Sequence, residues 1–95
     1  MSYVIIRHKV ADYAKWKRAV HSFMKFRKAS GETSFHVLRG SKDPNDLTVC
    51  CGWDHATRMR KFMKSRELRK AMKEAGVISK PEIGFFSKKE DLSVA

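Results

Sequence analysis

The side chains of this chain that could do chemistry are its histidines, a few arginines and its aromatic rings. A histidine titrates near neutral pH, so its imidazole can accept the proton of a phenol. An arginine can then hold the oxyanion that forms, and an aromatic wall can stack on a planar ring. The candidates of these kinds are His8, Tyr13, His36, Arg39, Trp53 and His55, with Met59 and Phe62 as apolar neighbours.

Several candidates also have a structural interpretation that the sequence leaves open. His8 and His55 fall at the ends of predicted elements, where a histidine is often solvated or caps a helix. Trp53 can close a core, since a tryptophan buries a large apolar area. Arg39 can pair with Asp46 across a hairpin instead of binding a ligand.

Three other kinds of site find no support in the residue spacing. The four histidines are scattered, without a Cys-x-x-Cys or His-x-x-x-His pair, so we predict no metal and no cofactor. The five glycines are isolated and form no nucleotide fingerprint. Cys50 and Cys51 are adjacent in an apolar run, where strand neighbours point to opposite faces, so we expect packed, reduced thiols. Reduced thiols fit a cytoplasmic protein.

The candidates lie on elements that can be predicted from the chain's periodicity. Residues 3–6 are rich in β-branched side chains and predict a first strand, which ends in a polar rim at 7–9. Asp12 is placed as the N-cap of a helix that Gly31 ends. One face of this helix carries Tyr13, Trp16, Val20, Phe23 and Arg27, of which the first two are expected in the core or at a dimer contact.

The second half of the chain predicts a hairpin, a helical region and a last strand. Residues 33–39 and 47–53 are extended segments on either side of a turn at 43–46. Asp54 is placed as the cap of a helical region that runs to Gly76 and is broken or kinked near Ser65. Residues 82–86 form a short aromatic strand that follows a proline, as edge strands can.

The resulting order, β-α-β-β-α-β, is a split βαβ arrangement. It predicts an α+β, ferredoxin-like fold, in which one four-stranded antiparallel sheet has helices on one face. We expect a single domain over residues 1–95, with a core at 3–86 and a polar C-terminal tail at 87–95.

The strands are apolar on both faces, although helices can cover only one of them. Residues 3–6, much of 47–51, and 83, 85 and 86 show no clean alternation of apolar and polar side chains. The tail is too polar to cover the second face. A second copy packed sheet against sheet would cover it, so we predict a homodimer.

The charge of the chain favours acidic partners, because 21 Lys and Arg stand against 10 Asp and Glu, for a net charge of +11. A solvated basic surface explains this charge equally simply. A nucleic-acid or anion-binding dimer is an alternative function, but the strands lack the aromatic pattern of RNA-recognition sheets and we do not expect nucleic acid as the partner. No run of about 18 apolar residues exists, so we expect no membrane association. The basic residues of the second helical region are Arg58, Arg60, Lys61, Lys64, Arg66, Arg69, Lys70 and Lys73.

A series of short pieces in order resembles the dimeric α/β barrel superfamily, specifically the small proteins grouped with antibiotic biosynthesis monooxygenases. The resemblance covers residues 3–86. The pieces are 8–10, 12–13, 16–17, Arg39, 43–45, 53–54, 67–68, Met72, 75–77 and 81–82.

The resemblance implies a fold, a dimer and a pocket, but it does not choose a reaction. Proteins of this kind include cofactor-free oxygenases that turn phenols into quinones, haem-degrading enzymes and isomerases. The haem-degrading branch uses an Asn, a Trp and a His. Here Trp53 and His55 are present, but the first strand has no Asn, so we do not expect haem degradation.

In the superfamily the pocket lies between the sheet and the helices, and this implies roles for the candidates named above. We assign His8, Arg39 and Trp53 as catalytic and Tyr13, His36, His55, Met59 and Phe62 as substrate-binding residues. The leading interpretation is a small-molecule enzyme or binding protein of the antibiotic biosynthesis monooxygenase-like group, and for an enzyme of this group the resemblance implies the oxidation of an aromatic substrate without a cofactor. A non-catalytic protein that binds a small aromatic or anionic metabolite is the other alternative.

Overall fold

A computed structural model describes residues 1–94 and has the predicted order of elements. The strands form one antiparallel sheet of order β2-β3-β1-β4, which confirms the α+β, ferredoxin-like fold. The break predicted near Ser65 is confirmed, because the second helical region is two helices. The elements are β1 (Ser2–Lys9), α1 (Tyr13–Ser30), β2 (Glu32–Arg39), β3 (Asp46–Trp53), α2 (Ala56–Met63), α3 (Arg66–Glu74) and β4 (Glu82–Ser87).

The ends of α1 and the start of α3 lie at capping residues that can be identified in the sequence. Asp12 accepts hydrogen bonds from the amides of Ala14 and Lys15 at 2.9 and 3.4 Å. Gly31 ends α1 with a φ of 115°, in the left-handed region that favours glycine. The hydroxyl of Ser65 accepts from an amide in the first turn of α3. These contacts satisfy backbone groups that a helix end leaves unpaired.

The start of α2 differs from the prediction. His55, and not Asp54, is the N-cap residue, and its side chain makes no capping hydrogen bond. Asp54 instead accepts from Arg58 Nη1 at 2.6 Å. The same guanidinium donates through Nη2 to the carbonyl of Ala29 at 2.8 Å. Arg58 therefore joins the start of α2 to the end of α1.

The hairpin also differs in its ion pair. Asp46 accepts two hydrogen bonds from Arg7, at 3.2 and 2.8 Å, and not from Arg39. Arg39 donates to the carbonyl of Pro44 at 2.7 Å, and its guanidinium lies 4.4 Å from the centre of the Tyr13 ring. The expected pair with Asp46 is therefore wrong, because β1, rather than β2, places a cation beside that carboxylate.

The strand register places the side chains of the helix-covered face in rows, which are buried on β1 and β3 but exposed on β2 at Val37 and Arg39. β1 is longer than predicted, because residues 7–9 continue the alternation: Arg7 and Lys9 are exposed while His8 points inward. Neighbouring strands pair so that each row crosses β1, β3 and β2. The rows are Val4–Cys51–Phe35, Ile6–Val49–Val37 and His8–Leu47–Arg39.

The opposite face of the sheet has no helix on it and carries apolar side chains, as the sequence predicts. Tyr3, Ile5 and Cys50 are half-buried there, while Leu38 and Phe86 are 63% and 53% exposed. Cys50 and the buried Cys51 are free thiols on opposite faces. Within residues 1–94, no helix has the length and apolar character needed to cross a membrane.

Candidate functional site

One cavity lies between the helix-covered face of the sheet and the pair of helices α1 and α3. It has about 40 Å³ of room for a molecule, or about 430 Å³ when its open mouth and the gaps between side chains are included. Its lining is mainly apolar. The sheet contributes Ile6, His8, Phe35 and Val49, α1 contributes Trp16, Ala19, Val20, Phe23 and Arg27, and α3 contributes Leu68, Ala71 and Met72, with Ala75 at its end.

His8 is the polar side chain that the sheet places in this cavity. Its side chain faces the helices because it continues the alternation of Val4 and Ile6 along β1. The residue is 4% exposed, and neither ring nitrogen has a hydrogen-bond partner among residues 1–94. Burial lowers the pKa of the imidazole below its ordinary value of 6.5. His8 is therefore neutral at pH 7 and can accept a proton.

Trp16 fixes the position of the His8 ring. The two rings meet edge to face, with 6.1 Å between their centres and an angle of 71° between their planes. Trp16 in turn packs against Tyr13 at 5.8 Å and Phe35 at 6.4 Å. These contacts form one aromatic wall beside the imidazole, against which a planar ring could stack.

Arg27 is a second polar residue in the cavity, and sequence reasoning did not assign it to the site. Its Nε and Nη2 atoms each donate to the carboxylate of Glu32 at 2.7 Å, and both side chains are almost fully buried. The guanidinium lies 4.6 Å from the ring centre of Phe35 and 5.1 Å from that of Phe62. The available signal was an arginine four residues after Phe23 on the apolar face of α1.

The thiol of Cys51 lies beside this ion pair. Arg27 Nη2 is 3.7 Å from its sulfur. The pKa of Cys51 is raised to about 12, mainly by burial and also by the nearby Glu32 carboxylate, whose effect is larger than the opposite effect of Arg27. The thiol is therefore protonated at neutral pH and has no nucleophilic role.

Three of the predicted site residues come together outside the cavity. Trp53 is fully buried, and its ring centre is 4.9 Å from that of Phe62. Met59 is buried in the same part of the core. The indole nitrogen of Trp53 has no hydrogen-bond partner among the described residues. These side chains support the wall behind Arg27 but do not line the cavity.

The remaining predicted residues lie apart from one another. Tyr13 and Arg39 stack at the edge of the aromatic wall. His36 is exposed on the helix-free face of the sheet, and His55 is exposed before α2. In the part of the chain that the structure describes, no three His, Cys, Asp or Glu side chains come together as metal ligands do. Of the eight predicted residues, the structure places His8 in the cavity.

Comparisons with known proteins show which proteins share this fold. No protein-family model and no curated protein matches the chain. A solved structure of SnoaB, a cofactor-independent oxygenase from Streptomyces nogalater, is similar with a TM-score of 0.77 at 16% identity, over 96% of this chain and 95% of that one. A protein from Bordetella bronchiseptica, described as a candidate antibiotic biosynthesis monooxygenase, has a TM-score of 0.76 at 16% identity, with coverage of 94% and 97%.

A conserved protein from Methanosarcina mazei Go1 is also similar, with a TM-score of 0.73 at 15% identity, over 93% of this chain and 92% of that one. At such identities a likeness establishes the fold and leaves the reaction open. The chain therefore has the fold of the antibiotic biosynthesis monooxygenase-like proteins, which confirms the fold that the resemblance in sequence implied.

Proposed function

We propose that this protein binds a planar phenol in the cavity and oxidises it with dioxygen, without a cofactor. The observation that carries the proposal is His8, a buried and neutral imidazole that lines an apolar cavity and has no hydrogen-bond partner for either ring nitrogen among residues 1–94. Buried polar groups are nearly always paired, so the imidazole is free to bind water or the hydroxyl of a ligand in the cavity. The fold shared with a cofactor-independent oxygenase supports the same choice.

The reaction can be written for 1-naphthol as a simple example. His8 accepts the hydroxyl proton, and the resulting anion carries electron density to the ring carbon opposite the oxygen. That carbon reacts with dioxygen, and the resulting peroxide takes the proton back from His8 to form a hydroperoxide. Cleavage of the O–O bond and loss of the C–H proton then release water and leave a quinone. The substrate loses four electrons, dioxygen gains four, and one oxygen atom enters each product.

The proton transfer from a phenol to His8 is uphill. A phenol has a pKa near 10, and burial lowers the pKa of His8 below its ordinary value of 6.5, so the imidazole is a weaker base than the phenolate. Phenols made more acidic by fused rings would therefore be favoured.

The cavity must widen to admit such a substrate. Its present room of about 40 Å³ suits a few water molecules or a dioxygen molecule, whereas sites for larger ligands have roughly 300–1,000 Å³. The mouth lies between α1 and α3, where Phe23 and Met72 are only half-buried. Met72 is unbranched and flexible, so it can move aside at low cost.

The proposal is tested by oxygen consumption and quinone formation with 1-naphthol. His8→Leu keeps the approximate volume of the side chain but removes the base, so we expect the rate to fall by about 10²- to 10⁴-fold. His21→Leu is the matched control, because His21 is exposed on α1. Oxygen uptake no faster than in buffer by the unaltered protein, or uptake unchanged in His8→Leu, would contradict the proposal.

We also propose that the protein acts as a homodimer through the helix-free face of the sheet. Leu38 and Phe86 are large exposed apolar side chains on this face, with Tyr3, Ile5 and Cys50 beside them. A monomer would leave these apolar side chains in water, and a second copy packed on the same face removes them from it. The cavity is on the opposite face of the sheet, so the dimer leaves its mouth open.

A further inference from the structure

The cavity has a polar side chain at each end, and the sheet register shows how far apart these two ends lie along β1. Arg27 Nη2 is 3.7 Å from the sulfur of Cys51, and Cys51 pairs with Val4 on β1. His8 lies four residues beyond Val4, on the same face of the same strand. Since a strand rises about 3.3 Å per residue, the positions of Val4 and His8 along β1 are about 13 Å apart, and this is the approximate length of the cavity between its two polar ends.

The part of the cavity between these two ends is apolar. Ile6 and Val49 pair with each other and form the floor halfway along it. Val20 and Phe23 of α1 lie above them, between Trp16 at the His8 end and Arg27 at the other. The cavity is therefore an elongated slot that runs parallel to β1, rather than a round pocket around one polar group.

The guanidinium of Arg27 keeps donor capacity for a ligand in the slot. Glu32 occupies Nε and Nη2 in a side-on pair, and Nη1 has no hydrogen-bond partner among residues 1–94. Arg27 lines the slot, whereas Glu32 does not and borders a separate surface groove beside Thr33. A negative charge in the slot would therefore approach the arginine more closely than it approaches the glutamate.

We infer that the slot selects elongated planar phenols that carry an acidic group at the far end, with His8 binding the hydroxyl and Arg27 the carboxylate. This inference rests on the proposed function and adds the class of substrate. Two hydrogen bonds of about 2.9 Å, one to His8 and one to Arg27, take up roughly 6 Å of the cavity length of about 13 Å. The roughly 7 Å that remain are about the distance across two fused aromatic rings. Arg27 is thus assigned as the residue that determines specificity.

The inference is tested by the affinities of three naphthalene compounds, measured by calorimetry. We expect 6-hydroxy-2-naphthoate, whose groups lie at opposite ends, to bind the unaltered protein at least tenfold more tightly than 2-naphthol. We expect no such gain for 4-hydroxy-2-naphthoate, which has both groups on one ring and cannot reach both ends. This comparison needs no variant and does not depend on turnover.

The role of Arg27 is tested with the double variant Arg27→Met and Glu32→Met. Both residues are replaced because the loss of either alone would leave a buried charge unpaired. We expect the double variant to bind 6-hydroxy-2-naphthoate and 2-naphthol with equal affinity within about twofold. Arg18→Met is the control, since Arg18 is exposed on the same helix and does not line the slot, and it should keep the tenfold preference.

The outcomes separate this inference from the proposed function. If 2-naphthol binds in a manner that His8→Leu abolishes, while the distant carboxylate adds no affinity, the inference is overturned and the proposed function stands. A preference that survives in the double variant would also overturn it. If none of the three compounds binds the unaltered protein, both the inference and the proposed function fail.

Discussion

His8 is buried, and within residues 1–94 neither ring nitrogen has a partner, so the stability of the fold depends on pH. In the unfolded chain the imidazole binds a proton at its ordinary pKa of about 6.5, but in the folded chain burial lowers that pKa. The unfolded state therefore holds more protons just below pH 6.5. The free energy of unfolding should then fall as the pH drops, by up to about 1.4 kcal/mol per pH unit from this residue.

Urea unfolding at pH 7.5, 6.5 and 5.5 measures this contribution. We expect His8→Leu to lose this part of the pH dependence, because a leucine takes up no proton. His21→Leu should keep it, since His21 is exposed on α1. Equal pH dependence in the unaltered protein and in His8→Leu would show that His8 can be protonated in the folded state at no cost.

The candidate site could be predicted only in part, and the residues show why. The inward direction of His8 follows from strand alternation, so the sequence contained the information that places it. Trp53 and Phe62 have the right chemistry, but which core side chains border a cavity depends on how helices and sheet pack. Arg27 was visible on the apolar face of α1, but its partner Glu32 lies beyond the helix end and only the fold brings the two together.

The helices that cover the cavity begin at residues whose side chains cap them, and α1 ends at a glycine that adopts a left-handed backbone conformation. Asp12, Gly31 and Ser65 could be read from the sequence because a cap acts within one turn of the chain. The start of α2 could not be read in this way. Asp54 is a good capping residue by type, but Arg58 engages its carboxylate, and that arginine also binds the end of α1. A tertiary contact there outweighs the local preference.

Asp12 gives a prediction for α1, the helix that carries Trp16 and Arg27. Asp12→Ala removes the acceptor for two backbone amides of the first turn, so we expect a loss of about 1 kcal/mol in the free energy of unfolding. In a chain of this size that loss lowers the melting temperature by roughly 4–8 °C. Asp91→Ala, in the exposed tail, is the control and should leave the melting temperature unchanged. Equal melting temperatures for the two variants would contradict the capping role.

At the scale of the whole molecule, the apolar face without helices is the feature that the sequence predicted best. When the strands are apolar on both faces, helices on one side of the sheet can bury only one of those faces, whatever the details of packing. The net charge of the molecule says less about its binding partners. Arg58 is held by structural contacts, Arg60 lies 5.8 Å from the ring centre of Phe85, and the other cations of α2 and α3 are exposed, as in a solvated basic surface. An RNA-binding sheet would need the face that the proposed dimer covers.

The proposed dimer is tested by light scattering at micromolar concentration. We expect a mass twice the 11.0 kDa of one chain. Leu38→Glu places a charge on the helix-free face and should give a monomer. Ile78→Glu is the control, because Ile78 is similarly exposed, at 66% against 63% for Leu38, but lies outside the four strands. A monomeric mass for the unaltered protein would contradict the dimer.

We propose above that a phenol binds between the helices and the sheet, with its oxygen on His8. A crystal structure of the protein soaked with 2-naphthol would show this directly. We expect naphthol between Trp16 and Met72, with its oxygen about 2.7–3.0 Å from a ring nitrogen of His8. A saturating soak that leaves the cavity without naphthol, or that places it only on the helix-free face, would contradict the claim.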